Sequence, residues 1–163
     1  MGEFFSVLSP NPILPKSPVY GANNWYHAYG HATEDDVLRE AKALAELTEG
    51  FANRPWFIID DCWQIDRADN YNGGPWRAGN KGFPDMPGLA KKLRESGIQP
   101  GIWVRLLWDH SENIPASWRS KRDPEYLDPS VPEVLDHIAE DIRTVSSWGY
   151  KLIKHDFTSY DVF

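Results

Sequence analysis

A lysine and an aspartate stand two residues apart at the end of the apolar run LIKHDF, as Lys154 and Asp156. Side chains alternate along a strand, so in an extended run these two share one face while His155 points the other way. An ammonium beside a carboxylate holds it ionised and lowers its pKa, which keeps it available as a nucleophile near neutrality. The same two residues would also serve as a structural ion pair at a strand end. A second acidic group, Asp60 and Asp61, closes another apolar run, PWFIIDD. On a regular strand these two face opposite sides, so at least one is expected to enter a shared site. Adjacent carboxylates can chelate a cation, accept hydrogen bonds from vicinal hydroxyls or act as acid and base; in a loop they would instead cap a helix or form a turn. A third run, GIWVRLLWD, ends in Arg105, Trp108 and Asp109. Arg105 is expected either to bond ligand oxygens or to pair with Asp109.

Such groups meet only if the intervening chain brings their strands together. Residues 1–18 carry Pro10, Pro12, Pro15 and Pro18, which deny them a regular helix or central strand, so they read as a leader or linker before a domain over 19–163. VYGANNW reads as a first strand. In TEDDVLREAKALAELTEG, Val37, Ala41, Leu44 and Thr48 fall at helical spacing, with Thr33 as N-cap and Gly50 as the stop. PWFII is compact enough for a strand buried on both faces. Asp85 caps a second helix with Leu89 and Leu93 on one side and Gly97 at its end, and QPGIWVRLL follows as a third strand. SVPE, from Ser130 to Glu133, reads as a capping box with proline just inside the helix. Behind it Leu135, Ile138, Ile142 and Val145 form the apolar stripe, up to Gly149. KLIKHDF is the fourth strand. Strands alternating with helices favour a parallel sheet with right-handed crossovers.

A dinucleotide-binding sheet would place a glycine-rich phosphate turn after its first strand, and GANNWYHAYG offers neither that turn nor a P-loop lysine. A (β/α)8 barrel gathers polar groups at the C-terminal ends of successive strands, where this chain shows Asn23, Asn24 and Trp25, then Asp60 and Asp61, then Arg105, Trp108 and Asp109, then Lys154 and Asp156. The expected fold class is therefore α/β, a partial (β/α)8 TIM barrel of about four parallel strands and three helices. An eight-stranded barrel typically needs roughly 250 residues, so 163 residues read as half of one.

A formal net charge of -7 argues against nucleic acid or an anionic membrane surface as the main partner. No run approaches the roughly 18 apolar residues of a membrane span, and MGEFFSVLSP lacks the regions of a secretory signal, so a cytoplasmic address is the expectation. With Cys62 alone, neither an internal disulfide nor a cysteine-based zinc site forms. A metal-dependent hydrolase would recruit His110, His155 and acidic residues, but no H-x-H or H-E-x-x-H pattern is present and Lys154 opposes a cation; no metal and no cofactor is expected. His27 and His31 read equally as solvated loop residues or as ligands. Eight Trp, seven Tyr and seven Phe supply flat faces suited to sugar rings, and Trp25, Trp63 and Trp108 would either stack on such a ring or close the end of a barrel.

In order along the chain, GANNWYHAYG, FIIDDCWQ, GFPDMPGLAKKLRESGIQPGIWV and YLDPSVPEVLDHIAEDIRTVSSWGYKLIKHDF resemble the α-galactosidase (melibiase) clan of retaining glycoside hydrolases, from about Val19 to Phe157. The resemblance implies the N-terminal half of a catalytic barrel acting on terminal α-linked galactose-like sugars. By it, Asp156 is the nucleophile, Lys154 contacts sugar hydroxyls and tunes it, Asp60 and Asp61 recognise hydroxyls, and Trp25 and Trp63 wall the subsite. It also implies that the acid/base lies on a later strand, beyond Phe163, and that this chain alone turns over negligibly. The third strand WVRLLWD departs from the acidic or other polar segment of many clan members. Cys62 follows the aspartates as in one branch of the clan, without its usual disulfide partner. The expected partners are a carbohydrate and either the missing half of the barrel or a second copy. A noncatalytic sugar-binding half-barrel is the alternative from another class.

Overall fold

The computed structural model describes Val7 and residues 10–162; the rest of the expected leader, 1–6, 8 and 9, lies outside the described residues. Residues 10–20 form no regular helix or strand, as their prolines require. Strand β1 is short, Gly21–Asn23, because the chain turns at Asn24 into a single helical turn, α1 (Trp25–Ala28), so VYGANNW is only partly extended.

Helix α2 (Glu34–Leu47) begins where Thr33 caps it. The Thr33 hydroxyl accepts the Asp36 amide, and the Asp36 carboxylate accepts the Thr33 amide at 3.0 Å. The Thr33 hydroxyl also donates to Asp36 Oδ2 at 2.7 Å, and that bond, with Arg39 and the Thr33 amide, brings the Asp36 carboxyl down to about 2. Strand β2 (Trp56–Ile59), helix α3 (Met86–Glu95), strand β3 (Gln99–Val104), helix α4 (Pro132–Ser147), strand β4 (Leu152–His155) and a terminal turn α5 (Thr158–Val162) follow. Asp85 caps α3 by accepting the Gly88 amide. Gly50, Gly97 and Gly149, read as helix stops, all have positive φ, at 82°, 76° and 110°.

The four strands form one parallel sheet in the order β1-β2-β3-β4. Phe57, Ile59, Ile102 and Val104 are buried in one cluster with Val37 and Ala41 of α2, Leu89 and Leu93 of α3, and Val145 of α4. Each fully buried Leu or Ile there contributes about 1.5–3 kcal/mol over leaving it in water. The fold is a partial (β/α) barrel. Burial of β2 on both faces does not hold, since Trp56 and Ile58 are only half-buried. In a closed barrel the inward face is sealed by strands from across the axis, and a four-stranded sheet supplies none.

Helix α4 departs from the reading twice. Its N-cap is Val131, without a side-chain cap, because the Ser130 hydroxyl donates to Asp128 Oδ1 at 2.6 Å instead; only Pro132 in the first turn stands as expected. Its buried residues are Val134, Asp141 and Val145, while Leu135 is 52% exposed. Ile138 and Ile142 of the expected stripe pack, partly buried, against the core beside Val145, and a carboxylate, Asp141, takes an inward position that a search for apolar residues passes over. Val134 packs with Leu107, Ile114 and Leu127 in a second small cluster. Among the described residues no helix is long and apolar enough to cross a membrane.

Candidate active site

The register fixes which strand-end groups share a level. Ile59 lies opposite Ile102, and Trp103 opposite Lys154, so Asp60, one residue past β2, follows on at the level of Trp103 and Lys154. The Lys154 ammonium donates to Asp60 Oδ2 at 2.7 Å and lies 3.5 Å from Asp156 Oδ2. Asn23 of β1 also donates to Asp60 Oδ2, Asn24 Oδ1 accepts the Asp60 amide at 2.8 Å, and Asp60 Oδ1 accepts the Asp61 amide at 2.9 Å. Asp60 is thus saturated, with its side chain only 4% exposed, whereas that of Asp156 is 41% exposed. Of these two carboxylates, Asp156 is the one open to an incoming molecule.

Asp156 is also the one held ready. Partial burial raises its pKa, but Trp103 Nε1–H donating to Oδ2 at 3.0 Å, the Phe157 amide donating to Oδ1 at 2.9 Å, and Lys154 outweigh it, and the group lies below the usual carboxylate range. Each of these interactions favours the anion over the acid. His155, on the opposite face of the strand, has its pKa lowered by burial.

Asp61 goes elsewhere. It is buried, accepts from Gln64 Nε2 at 2.7 Å and lies 3.9 Å from Arg67 Nε; burial pushes its carboxyl up despite these partners. It lines a cavity of about 440 Å³ with Trp25, Tyr71, Asn72, Arg105 and Trp108. That volume is in the range of small-molecule sites. Trp25 is half-buried at this wall. Trp63 is not a wall: it is 0% exposed, donates from Nε1 to the Trp103 carbonyl at 2.9 Å, and packs on Trp76 and Trp148. An indole whose N–H finds a main-chain acceptor inside the core is lost to a ligand. Cys62 is buried beside it and burial pushes its thiol up.

Arg105 pairs with Asp161 of α5 at 2.6 Å rather than with Asp109. Asp109 instead faces His137 Nε2 at 3.4 Å, and His137 Nε2 lies 3.5 Å from Asp141 Oδ2. Among the described residues, Asp109, His137 and Asp141 hold donor atoms within 4.8 Å of one another, the spacing of a metal-ligand set. Arg77 Nε donates to Asp141 at 2.9 Å and Arg77 Nη2 lies 3.4 Å from His137 Nδ1, so a guanidinium and an imidazole already sit against the two carboxylates. The sequence patterns searched for metal ligands centred on His110 and His155, which lie elsewhere: His110 pairs with Glu125 at 2.8 Å. His27 pairs with Glu40 at 2.7 Å on the surface.

No family model matches the chain. Curated relatives do. α-Galactosidase A of Cellvibrio japonicus is 30% identical over 147 residues, which cover 88% of this chain and 31% of that protein. The probable α-galactosidase B of Talaromyces emersonii is 27% identical over 143 residues, covering 86% of this chain and 28% of that protein. Among solved structures, the Thermus thermophilus α-galactosidase TtGalA in complex with p-nitrophenyl α-D-galactopyranoside superposes with a TM-score of 0.67 at 28% identity, over 88% of this chain and 32% of that one. The chain is an α-galactosidase-like glycoside hydrolase region. It spans about 28–31% of the length of these two curated relatives.

Within this α-galactosidase-like region, sequence reading missed Trp103, the indole that donates to Asp156. Alternation on WVR could have found it, since Trp103 shares a face with Arg105, and its register partner is Lys154. Gln64, Arg67 and Asn72 around Asp61, and Asp161 beneath Arg105, carry no comparable signal, because loops and a terminal turn bring them in.

Proposed function

We propose that this chain carries the nucleophile and much of the sugar-recognition apparatus of a retaining α-galactosidase-like hydrolase acting on terminal α-linked galactose-like sugars. The observation that carries the reading is Asp156: a half-exposed carboxylate at the C-terminal end of a parallel strand, aimed by Trp103, the Phe157 amide and Lys154. The relatives' names support the sugar, and solved TtGalA complexes hold p-nitrophenyl α-D-galactopyranoside and stachyose. In this mechanism Asp156 attacks the anomeric carbon and displaces the aglycone to leave a covalent glycosyl ester, which water then opens with overall retention. Lys154, shared between Asp60 and Asp156, keeps the nucleophile anionic and offers a donor to a ring hydroxyl. Asp61, Asn72 and Trp25 line the cavity around Asp61 and would serve there as hydroxyl acceptor, amide and apolar wall.

Protonating the leaving oxygen requires a second carboxyl group about 5–5.5 Å from the nucleophile. In this reading it comes from a later strand of the complete barrel, which also pairs the free edges of β1 and β4. The chain alone therefore turns over negligibly. The test is a fluorinated α-galactosyl donor with a dinitrophenolate leaving group, whose departure needs no acid. Mass spectrometry is expected to place one sugar on Asp156 and none in Asp156→Ala. Unmodified Asp156 at saturating reagent would overturn the nucleophile assignment.

A noncatalytic sugar-binding reading draws on the polar cavity around Asp61. It requires galactose to raise the melting temperature, the shift to vanish in Asp61→Ala, and Asp156 to resist the reagent.

A further inference from the structure

The turn that presents Asp156 is in a conformation that L side chains adopt only when their surroundings enforce it: Phe157, the residue after Asp156, has φ 58°. At the start of that turn the Phe157 amide donates to Asp156 Oδ1, 2.9 Å away. Something must hold it, and the structure shows what does. Arg105, the first residue past β3, has a side chain 5% exposed and that of its partner Asp161 is 0% exposed. Its guanidinium donates from Nε to Asp161 Oδ1 and Oδ2 at 3.1 and 3.0 Å and from Nη2 to Oδ1 at 2.6 Å. Its remaining donors reach Asn72 Oδ1 at 2.8 Å and the Tyr126 hydroxyl at 3.3 Å. Its Cζ lies over the Phe157 ring, 4.1 Å from the centroid, and over the Trp108 ring at 4.2 Å, cation–π contacts in which a planar guanidinium and an ammonium are not interchangeable. Asp161 is tied back in turn, its amide donating to the Phe157 carbonyl at 2.9 Å.

We infer that Arg105 is a positioning residue for Asp156: by clamping the Phe157 ring from one side and Asp161 from the other, it holds the left-handed turn whose amide orients the carboxylate. The Arg105–Asp161 pair at the centre of the clamp is buried, so Arg105 reaches Asp156 through Phe157, while its Asn72 side borders the cavity around Asp61. Its place in the reaction rests on Asp156 being the nucleophile; the clamp itself does not.

The test is a pH titration of the Asp156 carboxyl by carbon NMR, with hydrogen exchange at the Phe157 amide, in the whole chain and in Arg105→Gln, Arg105→Lys and Asp161→Asn. Lys154, Asp60, His155 and Asp161 are the charged and titratable groups around Asp156, and the first three are untouched in every variant. In the unsubstituted chain Asp156 is expected to titrate below a free aspartate and its neighbour's amide to be protected. In Arg105→Gln the midpoint moves up toward the free value and Phe157 exchange accelerates on the order of tenfold while the β2 and β3 amides keep their protection. Arg105→Lys, which keeps the charge but loses the flat stack, is expected to show the same changes in smaller measure, and Asp161→Asn to resemble it. A merely structural arginine would lower the melting temperature and leave the Asp156 midpoint in place. An unchanged midpoint and unchanged Phe157 exchange in a folded Arg105→Lys or Asp161→Asn overturns the inference. Failure of the fluorinated sugar to label unsubstituted Asp156, with the midpoint shifts present, would sink the nucleophile reading and leave the clamp standing.

Discussion

Two groups of carboxylates and cations sit at the C-terminal side of this sheet, and they are built to opposite ends. Asp60, Lys154 and Asp156 form an open group: one carboxylate is saturated, the lysine bridges, and the other carboxylate keeps a side chain 41% exposed with its pKa held low by neighbouring donors. Asp109, His137, Asp141 and Arg77 form a closed one, in which both carboxylates are 1% exposed and an imidazole and a guanidinium face them. The difference teaches that proximity of charges does not make a site. What separates a poised nucleophile from a structural network is whether one anion keeps a face to solvent while its protonation is decided by donors. The closed group is also imperfect, since Asp141 Oδ2 is buried without a hydrogen-bond partner.

The largest effect expected from this contrast is on stability. His137→Ala leaves two buried carboxylates facing each other and should destabilise the fold by about 3–5 kcal/mol in urea melts. A loss under about 1 kcal/mol would mean that the closed group is not a charge network. Next comes Trp103→Phe, which removes the indole donor to Asp156 Oδ2. Hydrogen bonds to charged groups are worth about 1.5–3 kcal/mol, so labelling by the fluorinated sugar should slow on the order of tenfold or more, with its acid limb moved to higher pH. An unmoved acid limb would show that Trp103 does not tune the carboxylate.

The pH dependence of stability sharpens the same contrast. His137 has its pKa raised above 6.5, first by its hydrogen bond with Asp109. Its contribution is therefore full below about 6.5 and is lost as pH rises through the folded-state value. Asp141, raised by burial, weakens the fold as pH rises through its own range above 3.8. Asp109 is lowered: burial raises it, but His137 and Ser111 outweigh that, so its contribution is present above 3.8 and lost on acidification. Stability is expected to decline on the alkaline side of 6.5, and His137→Gln should flatten that decline. A smaller loss of stability is expected from Lys154→Ala, which removes the charged donor to the buried Asp60 and should cost about 1.5–3 kcal/mol while also reducing labelling of Asp156.

Much of this was legible in the chain because it is local. Thr33, Asp85, Gly50, Gly97 and Gly149 mark helix ends through the groups they satisfy or the φ they accept, and the structure places them there. Lys154 and Asp156 share a face because a strand alternates, whatever surrounds it. On α4 the periodicity found Ile138, Ile142 and Val145 but passed over the buried Asp141, whose partner Arg77 lies 64 residues away. Ser130 was misread as a cap because a nearer acceptor, Asp128, takes its hydroxyl. Trp63 was read as a wall because its position after the aspartates does not tell whether the indole turns toward the cavity or into the core.

What the amino-acid order determined on its own was the alternation of strands and helices, their ends, and the pairing of Lys154 with Asp156, since these follow from backbone periods and from groups a few residues apart. What only the tertiary structure decided was which carboxylate stays open and which becomes sealed. Asp60, Asp61 and Asp109 differ from Asp156 in the partners delivered from distant segments, and it is desolvation and hydrogen bonding by those partners that set the state and reach of each charge.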